Sequence, residues 1–227
     1  MAAETLILFA KPPLAGRVKT RLAESLGREG AARLYACFLQ DAAETARALR
    51  DARPGVGIVC EWTLEEAESL DEFPLTDWLP GAYLHRAQTG ADLGTRMAAA
   101  LGRCLASGRR AVLIGTDFPD LPHKVLLDAF RNLDCGDDAK ITLGPAADGG
   151  YYLVGMNRFV PDIFAGIPWS TREVLSRTME RADALGVGTS LLPEWRDVDD
   201  ADDLEALKDR LANRSASRAR HTREFLS

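Results

Sequence analysis

Thr5-Leu-Ile-Leu-Phe-Ala10, followed at once by Lys11-Pro-Pro-Leu-Ala-Gly16-Arg-Val-Lys-Thr-Arg21, is the stretch that decides the fold. An apolar run of this length, closed by two prolines that can neither donate to a ladder nor continue one, reads as a buried strand. The segment behind it gathers Lys11, Arg17, Lys19 and Arg21 around Gly16. It lies at the carboxyl end of that strand, the edge where open α/β sheets bind ligands. Cations around a glycine that lets the backbone come close suit phosphates, although a solvated basic turn feeding a helix would use the same residues.

The rest of the chain keeps alternating strand and helix patterns. Helical spacing runs from 28 to 50, and Val56-Gly-Ile-Val-Cys-Glu-Trp62 reads as a strand. Thr63 and Glu66 form a capping-box pattern for a short helix. A short strand follows at Ala82–Ala87, then a helix over 92–105. Arg110-Ala-Val-Leu-Ile-Gly115 is continuous enough to be a central strand covered on both sides. Pro122 suits the first turn of a helix reaching about Asn132. Strands at 141–143 and 151–155 join through a glycine-rich turn. Ser170 and Glu173 look like a second capping box, with Trp169 and Val174 as its staple, for a helix from Thr171 to Leu185. A strand at 189–192 and a helix at 201–212 finish the pattern. Such alternation predicts an α/β domain, a mostly parallel sheet with helices on both faces.

With 227 residues, 46% of them hydrophobic and 27% charged, the chain suits one soluble domain, set at residues 1–212. A basic tail, 213–227, is expected to be frayed and solvated. The net charge of −6 excludes a general nucleic-acid binder, which needs a broad positive field, so the local cations serve a local anion. Cys37, Cys60, Cys104 and Cys135 follow no metal or redox spacing and read as reduced thiols, which places the protein in the cytoplasm. No run resembles a signal peptide or a membrane span.

Four further segments carry chemistry. The loop after the first strand is not a P-loop, since Pro13 and Val18 stand where its glycines would be, and no Gly-x-Gly-x-x-Gly supports a nicotinamide cofactor. In Val112-Leu-Ile-Gly-Thr-Asp117-Phe-Pro-Asp120, Asp117 leaves a central strand, where one carboxylate plus phosphate oxygens could hold a magnesium-like ion; helix capping is the competing reading, and the better one for Asp120. Asp148-Gly149-Gly150 suits either a tight hairpin or a turn that admits a substrate, with Asp148 then binding an acceptor hydroxyl or serving as general base. In Asp197-Val-Asp199, alternation directs both carboxylates to one side, where they could complete a metal site with Asp117 or cap the last helix. Gln88 and Gly90, before a helix, could contact a base or ribose.

Taken in order, Lys-Pro-Pro-x-x-Gly-x-x-Lys-Thr-Arg-Leu (11–22), Gln-x-Gly-x-Asp-Leu-Gly-x-Arg-Met (88–97), Ile-Gly-Thr-Asp-x-Pro-Asp-Leu-Pro (114–122), Gly-Pro-Ala-x-Asp-Gly-Gly-Tyr-Tyr-Leu-Val-Gly (144–155), Pro-Trp-Ser-Thr (168–171) and Asp-Val-Asp (197–199) resemble one family. This is the DUF2064 group, also called transferase 1, rSAM/selenodomain-associated, within the GT-A nucleotide-diphospho-sugar transferase superfamily. The resemblance implies a Rossmann-like GT-A domain with Mg²⁺ or Mn²⁺ held by Asp117 and Asp199. It implies phosphate binding by Lys11, Gly16, Arg17, Lys19 and Arg21, with Gln88 and Gly90 on the nucleotide. Asp148 and Lys19 would be catalytic, and Gly149, Gly150, Ser170 and Thr171 would meet the acceptor. The implied reaction is glycosyl transfer from a nucleotide-sugar to a small molecule. The basic loop is also similar to that of guanylyltransferases, which use a nucleoside triphosphate and release pyrophosphate, and a nucleotide sensor is the non-catalytic alternative.

Overall fold

The computed structural model describes residues 4–81, 83–106, 110–134, 138–212 and 218–227. Its strands are β1 (Glu4–Ala10), β2 (Val56–Trp62), β3 (Leu84–Ala87), β4 (Arg110–Gly115), β5 (Lys140–Pro145), β6 (Tyr151–Met156) and β7 (Gly188–Leu191). They form one seven-stranded sheet in the order β3-β2-β1-β4-β6-β5-β7. Only β6 runs antiparallel to its neighbours, so the expected mostly parallel sheet is present. Between β1 and β4 the chain reverses its direction of travel across the sheet. That switch opens a crevice above the carboxyl ends of the two strands.

The helices are α1 (Ala23–Ala52), α2 (Leu75–Trp78), α3 (Leu93–Leu105), α4 (His123–Leu133), α5 (Val174–Ala184), α6 (Ala201–Ala212) and α7 (Arg220–Leu226). Alternation along β1 sends Leu6 and Leu8 to one core, with Phe38 of α1, Phe130 of α4 and Leu207 of α6, and Ile7 to the other, with Met97 and Leu101 of α3. This is why β1 and β4 read as unbroken apolar runs: both faces are covered. Phe38 and Phe130 are fully buried, and truncating either to alanine would cost about 3–5 kcal/mol.

Three sequence expectations are corrected. No helix follows Thr63, whose hydroxyl is given to Gln88 rather than to a cap; the capping box forms at Ser69 and Glu72 around a single 3-10 turn, and Glu65 and Glu68 hold Arg17. The helix expected from Thr171 begins at Val174, with Ser170 in the left-handed region at φ 64° and no side-chain cap at Glu173. The tail is not wholly frayed: residues 213–217 lie outside the described residues, but α7 packs on α1. Asp41 of α1 is the reason, since its carboxylate accepts from the backbone N–H of His221 and Thr222 and from the Thr222 hydroxyl. The remaining boundaries shift by a residue or a few. Cys37, Cys60 and Cys104 are in no disulfide; Cys135 lies outside the described residues. Among the described residues no helix is long and apolar enough to cross a membrane.

Candidate active site

A cavity of about 440 Å³ lies above the β1/β4 switch. Lys11 from β1, Gln88 from the end of β3, Asp117 from β4, Asp148 from the β5–β6 turn and Asp197 from the segment after β7 all reach its wall. The antiparallel sense of β6 explains the fourth member: its first residues start at the edge where the parallel strands end. Ser170 and Thr171 complete the far wall beside Trp169.

The two strand ends are tied together. The Tyr35 hydroxyl of α1 accepts from Lys11 N–H at 3.1 Å and bonds the Thr116 hydroxyl at 2.8 Å, and Thr116 donates to the Phe9 carbonyl. Tyr35 is buried, so a polar group is invested deep behind the site and fully satisfied there. No sequence signal marked Tyr35, which sits on an ordinary apolar helix face.

The four loop cations part company. Arg17 is held in a fork by Glu68, with contacts of 2.5 and 3.0 Å, and by Glu65 at 3.1 Å. It borders a second cavity of about 330 Å³ with Lys11 and Thr63. The Arg17 hydrogen bonds pull the Glu68 carboxyl down to about 2. Arg21 reaches Asp199 at 3.2 Å and Asp200 at 3.6 Å. Lys19 pairs with Asp117 and, at 2.7 Å, with Asp199. Burial works against its ammonium, yet the two carboxylates outweigh it and hold the Lys19 pKa above the ordinary lysine value. Of the four, Lys11 alone reaches the large cavity. Gly16 takes φ 81°, a left-handed turn that lets the loop double back.

At the end of β3 the Gln88 amide is fixed at both ends: its Oε1 accepts from the Thr63 hydroxyl and its Nε2 donates to the Glu61 carbonyl, each at 2.9 Å. Gly90 is not on the cavity wall; a Cβ there would stand 2.7 Å from the Arg96 nitrogen, so it serves the turn into α3. In the β5–β6 turn Asp148 is exposed, and its Oδ1 accepts from Gly150 N–H at 2.9 Å. Gly150 lines the cavity. Gly149 instead passes under the Arg172 backbone, where a Cβ would come within 2.4 Å. The Thr171 hydroxyl donates to Pro168 O and accepts from Glu173 N–H.

Asp197, on the wall near Asp148, is pushed up to about 6, first by burial and then by Asp199 and Asp148. Burial also opposes the charge on Asp199, but Lys19 and Arg21 bring its pKa below the ordinary value. Asp120 is a structural residue, fully buried under Trp195 and Arg210. Asp200 caps α6, its Oδ1 accepting from Asp203 N–H, and the Asp203 carboxylate accepts in return from Asp199 and Asp200 N–H; this frees the Asp199 side chain for the loop. Asp117 and Asp199 thus converge on one cation, and their chemistry fits a hard divalent ion completed by phosphate oxygens.

Residues 42–171 match the model of a family described as uncharacterised proteins conserved in bacteria (DUF2064). A solved structure from Desulfovibrio desulfuricans G20, described as a candidate nucleotide-diphospho-sugar transferase, is 34% identical with a TM-score of 0.88, over 100% of this chain and 94% of that one. A CMP:2-keto-3-deoxy-manno-octonic acid synthetase complexed with CTP superposes with a TM-score of 0.52 at 12% identity, over 93% and 99% of the two chains. The inositol-1-phosphate CTP transferase of T. maritima gives 0.50 at 14%, over 95% and 97%. The last two share the fold alone. No curated protein matches the chain.

Proposed function

The chain belongs to the DUF2064 family and is a transferase, and on that premise we propose that it moves a glycosyl group from a nucleotide-sugar to a small hydroxylated acceptor, with a divalent metal at Asp117 and Asp199. The observation that carries the choice is the division of the loop cations. Arg17 and Arg21 are committed to Glu68, Glu65, Asp199 and Asp200. Lys19 is paired with Asp117 and Asp199, and Lys11 is the one of the four that lines the cavity; one loop cation with one metal matches a diphosphate better than a triphosphate.

Gln88 and Thr63 take the nucleoside, and Lys11 and the Gly16 turn take the diphosphate. The acceptor oxygen attacks the anomeric carbon, the bond from that carbon to the phosphate oxygen breaks, and its electron pair leaves with the nucleoside diphosphate. Asp148 orients the acceptor hydroxyl, and its proton passes to a carboxylate of that wall, Asp148 or Asp197. The metal, when bound, neutralises charge on the leaving diphosphate. Trp169 shields this end from water.

The number of cations in the loop favours one other reading, in which a nucleoside triphosphate is the donor and pyrophosphate leaves. Incubating the protein with nucleotide-sugars and nucleoside triphosphates in Mg²⁺ or Mn²⁺, and identifying the phosphorus product, separates the two. A nucleoside diphosphate with a glycosylated acceptor is expected; pyrophosphate would replace this reading by the other. Binding with no turnover of any donor would mark a sensor.

A further inference from the structure

The carboxylates offered to a metal already hold a cation in the free protein, and it belongs to the chain. Lys19 Nζ pairs with Asp117 Oδ1 and lies 2.7 Å from Asp199 Oδ1. It is sealed from behind by the rings of Tyr35 and Phe38, with centroids 5.7 and 5.6 Å away. The Lys19 side chain is 4% exposed, whereas those of Asp117 and Asp199 are 42% and 37% exposed. The cation is thus at the bottom and the open lone pairs face solvent. Reaching that position requires Lys19 to adopt φ 47°, a left-handed backbone that a non-glycine residue takes only when its surroundings hold it there. Its neighbour Arg17 points elsewhere, to Glu68, whereas the exposed Arg21 takes the second oxygen of Asp199 at 3.2 Å and leans on Asp200 at 3.6 Å, from the solvent side.

A divalent ion bound by both carboxylates would need oxygen lone pairs that the ammonium now uses, and it would stand close to a buried positive charge. The lysine gives them up at low cost only when another anion arrives beside it. The phosphates of a donor, entering over Gly16 and Lys11, supply one. We infer that Lys19 is the resident counter-ion of the Asp117–Asp199 site, exchanged for a divalent metal only as phosphate arrives, so that metal and donor enter together rather than metal first. This rests on the reading of Asp117 and Asp199 as metal ligands, and it makes Lys19 a positioning residue that sets the order of binding.

The test uses the full chain, with no nucleotide, and Mn²⁺ alone as probe, following the electron paramagnetic resonance signal of free Mn²⁺. Asp41, Glu44 and His221 form another group of potential ligands at the α1–α7 contact, so only binding abolished by Asp117→Asn is counted. Wild type is expected to show no such binding below millimolar Mn²⁺. Lys19→Met should bind at least about tenfold more tightly, and adding Asp117→Asn should remove the gain. Equal affinities for wild type and a folded Lys19→Met would overturn the inference. Should Lys19→Met not fold, wild type decides alone: Asp117-dependent binding with a Kd below about 100 μM overturns the inference, and its appearance only with inorganic pyrophosphate supports it. The result is read without turnover, so metal binding first would leave glycosyl transfer standing, and a different reaction product would leave the exchange standing.

Discussion

Two carboxylate clusters each join the beginning of the chain to its end, and they do so for opposite purposes. Asp41 meets His221 and Thr222 across 180 and 181 residues of sequence, and Asp199 meets Lys19 across 180. At Asp41 the carboxylate is 2% exposed and takes three N–H and O–H donors, so it is finished. At Asp117 and Asp199 two partly exposed carboxylates share one ammonium, Asp199 takes Arg21 as well, and Asp117 lines the cavity. The lesson is that acidity near a basic residue says little by itself. Saturation and burial mark a dock, and partial saturation at a cavity mouth marks an exchangeable site.

The comparison can be broken most sharply at Asp117. Asp117→Asn is expected to lower kcat by at least about a hundredfold, while the melting temperature barely moves; equal turnover would reduce this cluster to a second dock. Asp41→Ala should do the reverse. It should leave kcat unchanged but strip three donors of their acceptor at a cost of about 2 kcal/mol, a fall of roughly 4–8 °C in melting temperature. Hydrogen exchange over 218–227 should rise with it.

A smaller effect is expected at Glu68. Glu68→Ala releases Arg17 toward the loop, so inorganic tripolyphosphate should bind about threefold more tightly with little change for pyrophosphate. Equal gains for both would show that Arg17 does not distinguish the longer anion.

The mildest test concerns Asp197, whose pKa stands above the ordinary carboxylate value of 3.8, at about 6. Its contribution to stability is complete below that ordinary value and is lost as pH rises through about 6. Asp197→Asn should therefore melt about 2–4 °C higher than wild type at pH 8, and together with it at pH 4, in a pair of calorimetric scans.

Much of the frame was legible because it depends on local rules. The doubly covered β1 and β4, the proline that ends each of their exits, and the hairpin at Asp148-Gly149-Gly150 follow from residue type and spacing. So does the gathering of Lys11, Asp117, Asp148 and Asp197 at one sheet edge, once strands and helices alternate. What escaped was the choice of partner. Nothing near Arg17 announces Glu68, 51 residues away, and nothing near Thr63 announces that its hydroxyl goes to Gln88 rather than to the helix that Thr63 and Glu66 suggested. The docked α7 was hidden for the same reason: its buried Thr222 is satisfied by Asp41, on a helix at the other end of the chain. The start of α5 lies later than expected, with Ser170 in the left-handed region and the Arg172 backbone packed closely over Gly149, a tertiary approach that local spacing does not encode.

The Tyr35 hydroxyl gives the pocket a mechanical property. By bonding both Lys11 N–H and Thr116, it works as a calliper set from behind, because parting the strand ends would strand a buried hydroxyl. The floor made by the ends of β1 and β4 is therefore held at one spacing. The parts of the wall clamped to neither strand are the head of α3 and the turn that carries Trp169.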